Sequence, residues 1–190
     1  MSLLLGAEEV IGPWVHARTG GEWIPGSGRT IGWVRDGRIT AGYIFSQYNG
    51  RNLFIDYAVD GHYLPWALLY AVGAYAFEQL HCTRLTLVAE DSNLASVKIN
   101  YKLGATLEAT LKGAARDGGD ILIFRLTPDC TIWKKLHGKI QRHARSTGPQ
   151  GHDSAARGGE QSFIRSDAPG NAADGGDSLR HIQLGEHSLV

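Results

Sequence analysis

Two turn dipeptides, Asp36-Gly37 and Asn49-Gly50, constrain this chain more than any other feature. Glycine tolerates the positive φ that a tight hairpin turn requires, and Asp or Asn is the favoured residue before it. The segments they join suit a pleated, half-buried surface: Arg29–Arg35, the Ile-, Tyr- and Phe-rich Arg38–Tyr48, and Asn52–Val59. Three consecutive antiparallel strands are therefore predicted.

The period then changes. Leu64–Leu80 reads as a helix and Arg84–Ala89 as a strand. Asp91-Ser92-Asn93 offers a helix cap, since a short side-chain oxygen can accept a free N–H of the first turn. The helix runs to Leu103 and stops at Gly104. Ala105–Leu111 and Asp120–Leu126 form a last strand pair around the Gly113–Gly119 loop. Upstream, Ala7–Arg18 is a modest helix, interrupted by Gly12-Pro13 and ending before Gly20-Gly21. The order is α, β, β, β, α, β, α, β, β. The central strand–helix–strand unit makes its two strands parallel neighbours joined by a right-handed crossover. The fold class is α/β (α+β), with a mixed, mostly antiparallel central sheet flanked by helices.

The helix Leu64–Leu80 is apolar on nearly every face. Trp66, Tyr70, Gly73 and Phe77 share one side, and Leu69, Val72, Ala76 and Leu80 another. Such a helix is buried on more than one side. It is expected to meet a second copy of the chain, as a homodimer, or another covering segment. The uncharged run Tyr63–Phe77 is shorter than the ~20 residues a membrane helix needs, so no membrane association is expected.

Composition bounds the rest. The 190 residues amount to one ordinary domain. Nineteen Lys+Arg balance nineteen Asp+Glu, so no net field recommends a nucleic acid or a membrane as partner. Two cysteines, Cys82 and Cys130, exclude a disulfide framework and favour a reducing, cytoplasmic setting. Met1–Gly6 carries three leucines but no basic residue, and this apolar run is too short for a signal peptide. The eight histidines show no helical metal-ligand spacing, so no metal is expected.

Composition shifts near Ser146. Residues 147–190 hold eight glycines, two prolines and one aromatic, Phe163, with three Arg against six Asp+Glu. This segment buries too little to offset its ordering entropy and reads as a disordered tail. Residues 1–146 form the domain, with sixteen Lys+Arg and thirteen Asp+Glu. The domain ends in a basic stretch, Lys134–Arg145, with five formal positive charges and no acid. It reads either as an anion or nucleic-acid contact made by phosphate neutralisation or as a solvated end of the domain, the second being the plainer reading. Gly138 weakens a helix there by about 1 kcal/mol.

The element order and the run Asn93-Leu94-Ala95-Ser96, continuing through Lys102-Leu103-Gly104 to Leu107-Glu108, resemble the Gcn5-related N-acetyltransferases. The likeness spans roughly Arg29 to Leu126. It is nearest to the branch of ribosomal-protein alanine N-acetyltransferases and to short phage-encoded members. The resemblance implies acetyl transfer from acetyl-CoA to an amine acceptor. In that family the third antiparallel strand and the next helix hold the cofactor. Strand backbone pairs with the pantetheine, and the helix N-terminus binds the pyrophosphate. Carried onto this chain, the cofactor residues are Ala58, Val59, Gly61, His62, Tyr63, Leu64, Trp66 and Ala67, with Asn93 and Ser96 as polar contacts from the later helix. The loop departs from the family pattern of Gln or Arg followed by spaced glycines. Asp60–Ala67 has one glycine, no Lys or Arg, and Pro65, which lacks an N–H. That departure bears on phosphate affinity. It leaves open an inactive binding or assembly protein with the same fold.

Aminolysis of a thioester needs a proton acceptor for the amine and a donor for the leaving thiolate. Asp56 lies mid-strand in an apolar run, where an unpaired carboxylate is costly. It is a candidate base or a paired structural acid. Glu90, at the C-terminal end of the Arg84–Ala89 strand, is a second candidate with the same alternative. Glu108 reads as structural. The family's donor Tyr lies seven residues after the helix-opening Asn. That count reaches Asn100, leaving Tyr101 about 100° further round as the candidate donor.

Overall fold

A computed structural model describes residues 1–61 and 64–147. His62, Tyr63 and the segment from residue 148 onward lie outside the described residues. The strands are β1 (Ser2–Leu5), β2 (Gly28–Arg35), β3 (Arg38–Ser46), β4 (Asn52–Val59), β5 (Arg84–Glu90), β6 (Thr106–Leu111) and β7 (Ile121–Leu126). The helices are α1 (Glu8–Thr19), α2 (Trp66–Gly73), α3 (Leu94–Leu103) and α4 (Thr131–Thr147). The seven strands form one sheet in the order β1-β2-β3-β4-β5-β7-β6. Only β4 and β5 are parallel; every other pair is antiparallel.

The first dipeptide forms the expected two-residue turn, with Asp36 and Gly37 both at positive φ (51° and 73°) and Arg35 opposite Arg38. The second turn is longer than predicted. Gln47 takes φ 52° and ends β3 at Ser46, before Tyr48. The Asn49 carboxamide then accepts the N–H groups of Arg51 and Asn52. The predicted break in α1 is absent. Pro13 sits on the exposed side of the helix, and Gly12 is where the Trp23 ring packs.

Two helix layers cover the sheet. On one face, α1 crosses β2, β3 and β4, with Ile11 and Val15 against Ile44 and Ala58. Gly32 and Gly42 are cross-strand partners. A Cβ on Gly32 would meet Ile11 Cδ1 at 2.9 Å, and one on Gly42 would meet Val15 Cγ2 at 2.8 Å. These bare positions let the helix lie low on the sheet. On the other face, Leu68, Ala71, Val72, Tyr75 and Ala76 pack on Phe45, Leu53, Ile55 and Leu85. There α3 closes a smaller cluster of Leu87, Ala89, Ala105 and Phe124.

The helix predicted over Leu64–Leu80 starts two residues later, because Pro65 is extended (ψ 134°) and serves as its N-cap. From Ala74 to Gln79 it widens into a π-helix. Its second covering layer is α4 of the same chain, a helix absent from the predicted order, as is β1. Tyr70 stacks on Trp133 with ring centroids 5.6 Å apart. The Trp133 ring lies directly against Gly73, where no Cβ would fit.

This packing makes a prediction. Trp133→Ala should lower unfolding stability by about 3–5 kcal/mol in urea denaturation, and Gly73→Ala should also destabilise. Parental stability in both variants would show that α4 does not pack there.

Candidate functional site

The parallel pair β4–β5 is short. Its register runs from Asn52↔Arg84 to Ile55↔Leu87, after which the two strands part. On its other side β4 stays paired with β3 through Val59. Asp56–Val59 therefore present one backbone edge with no strand partner among the described residues. The opening lies at the C-terminal ends of two parallel strands, where α/β sheets place ligands. It is also the end at which α2 and α3 begin.

Each wall is fixed independently. Past the end of β4, Asp60 takes a two-pronged ion pair from Arg18 of α1, at 2.8 and 2.9 Å. That guanidinium holds the Asp60 carboxyl below its ordinary value. At the end of β5, Glu90 lies 3.8 Å from Arg116, which also donates to the Thr19 carbonyl. Between the walls, Tyr57 reaches across to α3. Its hydroxyl lies 2.9 Å from Asn100 Oδ1 and 3.2 Å from the Ser96 carbonyl. Burial pushes the Tyr57 phenol up to about 12, so it keeps its proton at neutral pH.

Strand alternation sends Asp56 to the opposite face, under α1. It shares a cross-strand row with Ile44 and Thr30. The carboxyl is half-buried and has no hydrogen-bond partner among the described residues. Burial raises its pKa above the ordinary carboxylate value, and the nearby His16 partly offsets that. His16 Nδ1, Trp23 Nε1 and Thr30 Oγ1 are likewise buried without partners in the α1–sheet layer. The register places Glu90 on the same face as Asp56, across the opening.

Of the expected cofactor residues, Ala58 is buried and Val59 half-buried on β4. Gly61 takes φ 87° in the turn that follows. Leu64 precedes α2, and Trp66 and Ala67 open it, with Trp66 47% exposed. Among the described residues no side chain caps α2, so its first N–H groups have no side-chain partner there. Asn93 caps α3 by accepting the Ser96 N–H at 3.1 Å. Tyr101 is half-exposed and stands edge-on to Phe124 of β7. The α3 side chain that meets β4 is the fully buried Asn100, one step back round the helix. Glu108 pairs with Arg84 and Arg125.

Sequence reasoning did not single out Tyr57 or His16. The count of seven from Asn93 pointed to Asn100 but carried no reason to give it a role. Burial pushes both cysteine thiols up, away from the reactive thiolate. Among the described residues no group of three His, Cys, Asp or Glu is placed to hold a metal. No helix among them is long and apolar enough to cross a membrane.

Asp56 has a pH signature. Its raised pKa means that the folded chain binds this proton more tightly than the unfolded chain. Stability from this residue is then greatest below the unfolded value of about 4 and falls as pH rises through the folded one. Asp56→Asn should therefore be more stable than the parent at about pH 8, with the gap closing near pH 4. Urea denaturation at the two pH values checks this. A variant less stable at the higher pH would mean that the carboxylate is paired.

No protein-family model matches this chain, and no curated protein sequence matches it. Solved structures match it by fold. Ard1 from Thermoplasma volcanium superimposes with a TM-score of 0.54 at 14% identity, covering 66% of this chain and 96% of that one. The spermidine/spermine N-acetyltransferase SpeG from Vibrio cholerae gives 0.56 at 11% identity, covering 73% and 98%. An IAA acetyltransferase from Bacillus cereus gives 0.52 at 12% identity, covering 66% and 98%. The chain has the mixed, mostly antiparallel architecture of the Gcn5-related N-acetyltransferases, and at these identities the likeness is one of fold.

Proposed function

We propose that this chain transfers an acetyl group from acetyl-CoA to a primary amine. The observation that carries the reading is the parting of β4 from β5. It leaves the edge of Asp56–Val59 free to pair with an amide-bearing chain such as pantetheine, with an unpartnered carboxyl on the same segment. The uncapped start of α2 supports it, since free N–H groups and the helix dipole favour an anion there. The Asp60–Ala67 loop adds no cation, so backbone alone would meet the phosphates.

When bound, acetyl-CoA supplies an activated acyl carbon as the electrophile. Asp56 then takes the proton of the incoming amine, and its raised pKa brings it closer to the work of a base near neutrality. Glu90 flanks the acceptor side, across the opening. Tyr57 keeps β4 and α3 at a fixed spacing and holds a proton on the opposite side of the backbone. The half-exposed Tyr101, turned to β7, is the weaker candidate for returning a proton to the thiolate, and solvent can do so instead. The acceptor is an amine of a protein, a peptide or a small molecule. The ribosomal-protein N-terminal class is the branch that the Asn93–Glu108 run resembles.

The test uses the full chain. Acetyl-CoA should bind saturably in calorimetry, and a panel of amines should release free CoA thiol. Asp56→Asn should retain binding but lose about 100-fold or more of the transfer rate. No binding at about millimolar acetyl-CoA would overturn the proposal in favour of a non-catalytic binding protein with this fold.

A further inference from the structure

The solvent face of α4 takes no part in the site above. Trp133, Leu136 and Ile140 face α2, while Lys134, Lys135, Lys139 and Arg142 stand exposed on the other side. These four, with Gly138 among them and Asp129 and Thr131 at the helix start, line an open groove of about 390 Å³.

Two independent observations set this face apart. The first is the clustering of cations in one groove. Elsewhere among the described residues Arg18, Arg29, Arg35, Arg84, Lys112, Arg116 and Arg125 each lie within 4.0 Å of a carboxylate, while Arg38, Arg51, Lys98 and Lys102 do not and are spread over β3, the β3–β4 turn and α3. On α4 Lys134 reaches Asp129 at 3.8 Å, and Lys135, Lys139 and Arg142 have no such partner among the described residues. Lys135 and Lys139 are also one helical turn apart, where like charges repel. The second is Gly138. A Cβ there would meet only Arg142 Nη1, at 3.9 Å, and the position has no positive φ. Gly73, by contrast, is required by Trp133. Neither the packing nor the backbone of this fold explains a helix-weakening glycine at 138.

We propose that this face of α4 binds the phosphate backbone of a nucleic acid. Four cations between Lys134 and Arg142 span roughly 12 Å of helix, or about one charge per 3–4 Å. A nucleic-acid strand carries one phosphate per about 3.4 Å. The chain's own acidic segment is a poorer match. Its six carboxylates, Asp153, Glu160, Asp167, Asp174, Asp177 and Glu186, are seven, seven, seven, three and nine residues apart, roughly 10–30 Å in extended chain. A bilayer surface fits less well, because the apolar face of α4 is already taken by α2. The missing side chain at Gly138 lets a phosphate approach the helix between the flanking cations. The neutral total charge conceals this surface, because the balancing acids lie elsewhere in the chain.

The test is fluorescence anisotropy of the full chain with a labelled duplex of about 20 base pairs, in about 50–200 mM NaCl. Saturable binding is expected, with log K falling against log salt at a slope of about −3, a loss of about 60-fold over that range. Lys135→Gln with Lys139→Gln should weaken binding and flatten the slope by about two. Gly138→Ala should raise the melting temperature yet bind more weakly, which separates the groove from the fold. Four results would each overturn the proposal. They are no saturation at the lowest salt, binding indifferent to the double substitution, and equal competition by inorganic phosphate at matched phosphate concentration. The fourth is capture by phosphatidylserine vesicles with the same lysine dependence while the duplex is ignored. The result does not depend on acetyl transfer.

Discussion

Helix α2 with its π-helical continuation is apolar all round, and the need to bury it on two sides organises the molecule. The sheet supplies one side through Phe45, Leu53, Ile55 and Leu85. The other side comes from α4, through Trp133 and Leu136. Each such side chain contributes roughly 1.5–3 kcal/mol on burial, against a few tenths of a kcal/mol lost per like-charge pair on a helix surface. The inward face of α4 therefore holds the helix in place while its outward face remains free to be strongly basic. The same requirement makes the β4–α2–β5 unit a crossover, so the one parallel pair in the sheet is a consequence of it.

That parallel pair gives the candidate site its form. Four register pairs hold β4 to β5, and beyond them each strand is kept by its other neighbour. Alternation does the rest. Asp56 and Tyr57 are adjacent, so one stretch of backbone carries a carboxyl on the α1 face and a phenol on the α3 face. The phenol is held by Asn100 and the Ser96 carbonyl. The carboxyl has no hydrogen-bond partner among the described residues, lies near His16 and shares its cross-strand row with the unpartnered Thr30. Asp60–Arg18 and Glu90–Arg116 tie the strand ends to α1 and to the β6–β7 loop.

Much of this was legible in the residues. Asp36-Gly37 names its own turn because two successive positive φ angles leave little else. The cap at Asn93 and the stop at Gly104, with φ 88°, were equally local. What was not legible depends on partners distant in sequence. Four residues of β1 are too few for a period, and they become a strand only because the β2 edge receives them. The α4 stretch looked like a solvated basic end, because Trp133, Leu136 and Ile140 count as an apolar stripe only once α2 needs a cover. Gly12-Pro13 looked like a break, yet Gly12 is where Trp23 packs. In the site, Asp56 stood out as a charge in an apolar strand, whereas His16 and Tyr57 had no pattern to mark them.

The glycines and the buried polar groups divide by what explains them. Gly12, Gly32, Gly42 and Gly73 are each accounted for by a side chain that fills the space a Cβ would take. Gly138 is not, and neither is the carboxyl of Asp56 nor the uncapped start of α2. Each costs stability, and only Asp56 has a partial offset, from the nearby His16. A locally consistent sequence keeps such positions where something outside the chain completes them. While Tyr43 Oη, Gln79 Oε1 and Arg84 Nε are buried without partners elsewhere among the described residues, these three fall in two places, the opening between β4 and β5 and the outer face of α4. The two are connected through α2, whose N-terminus borders the opening and whose flank carries α4. One buried helix thus positions both surfaces.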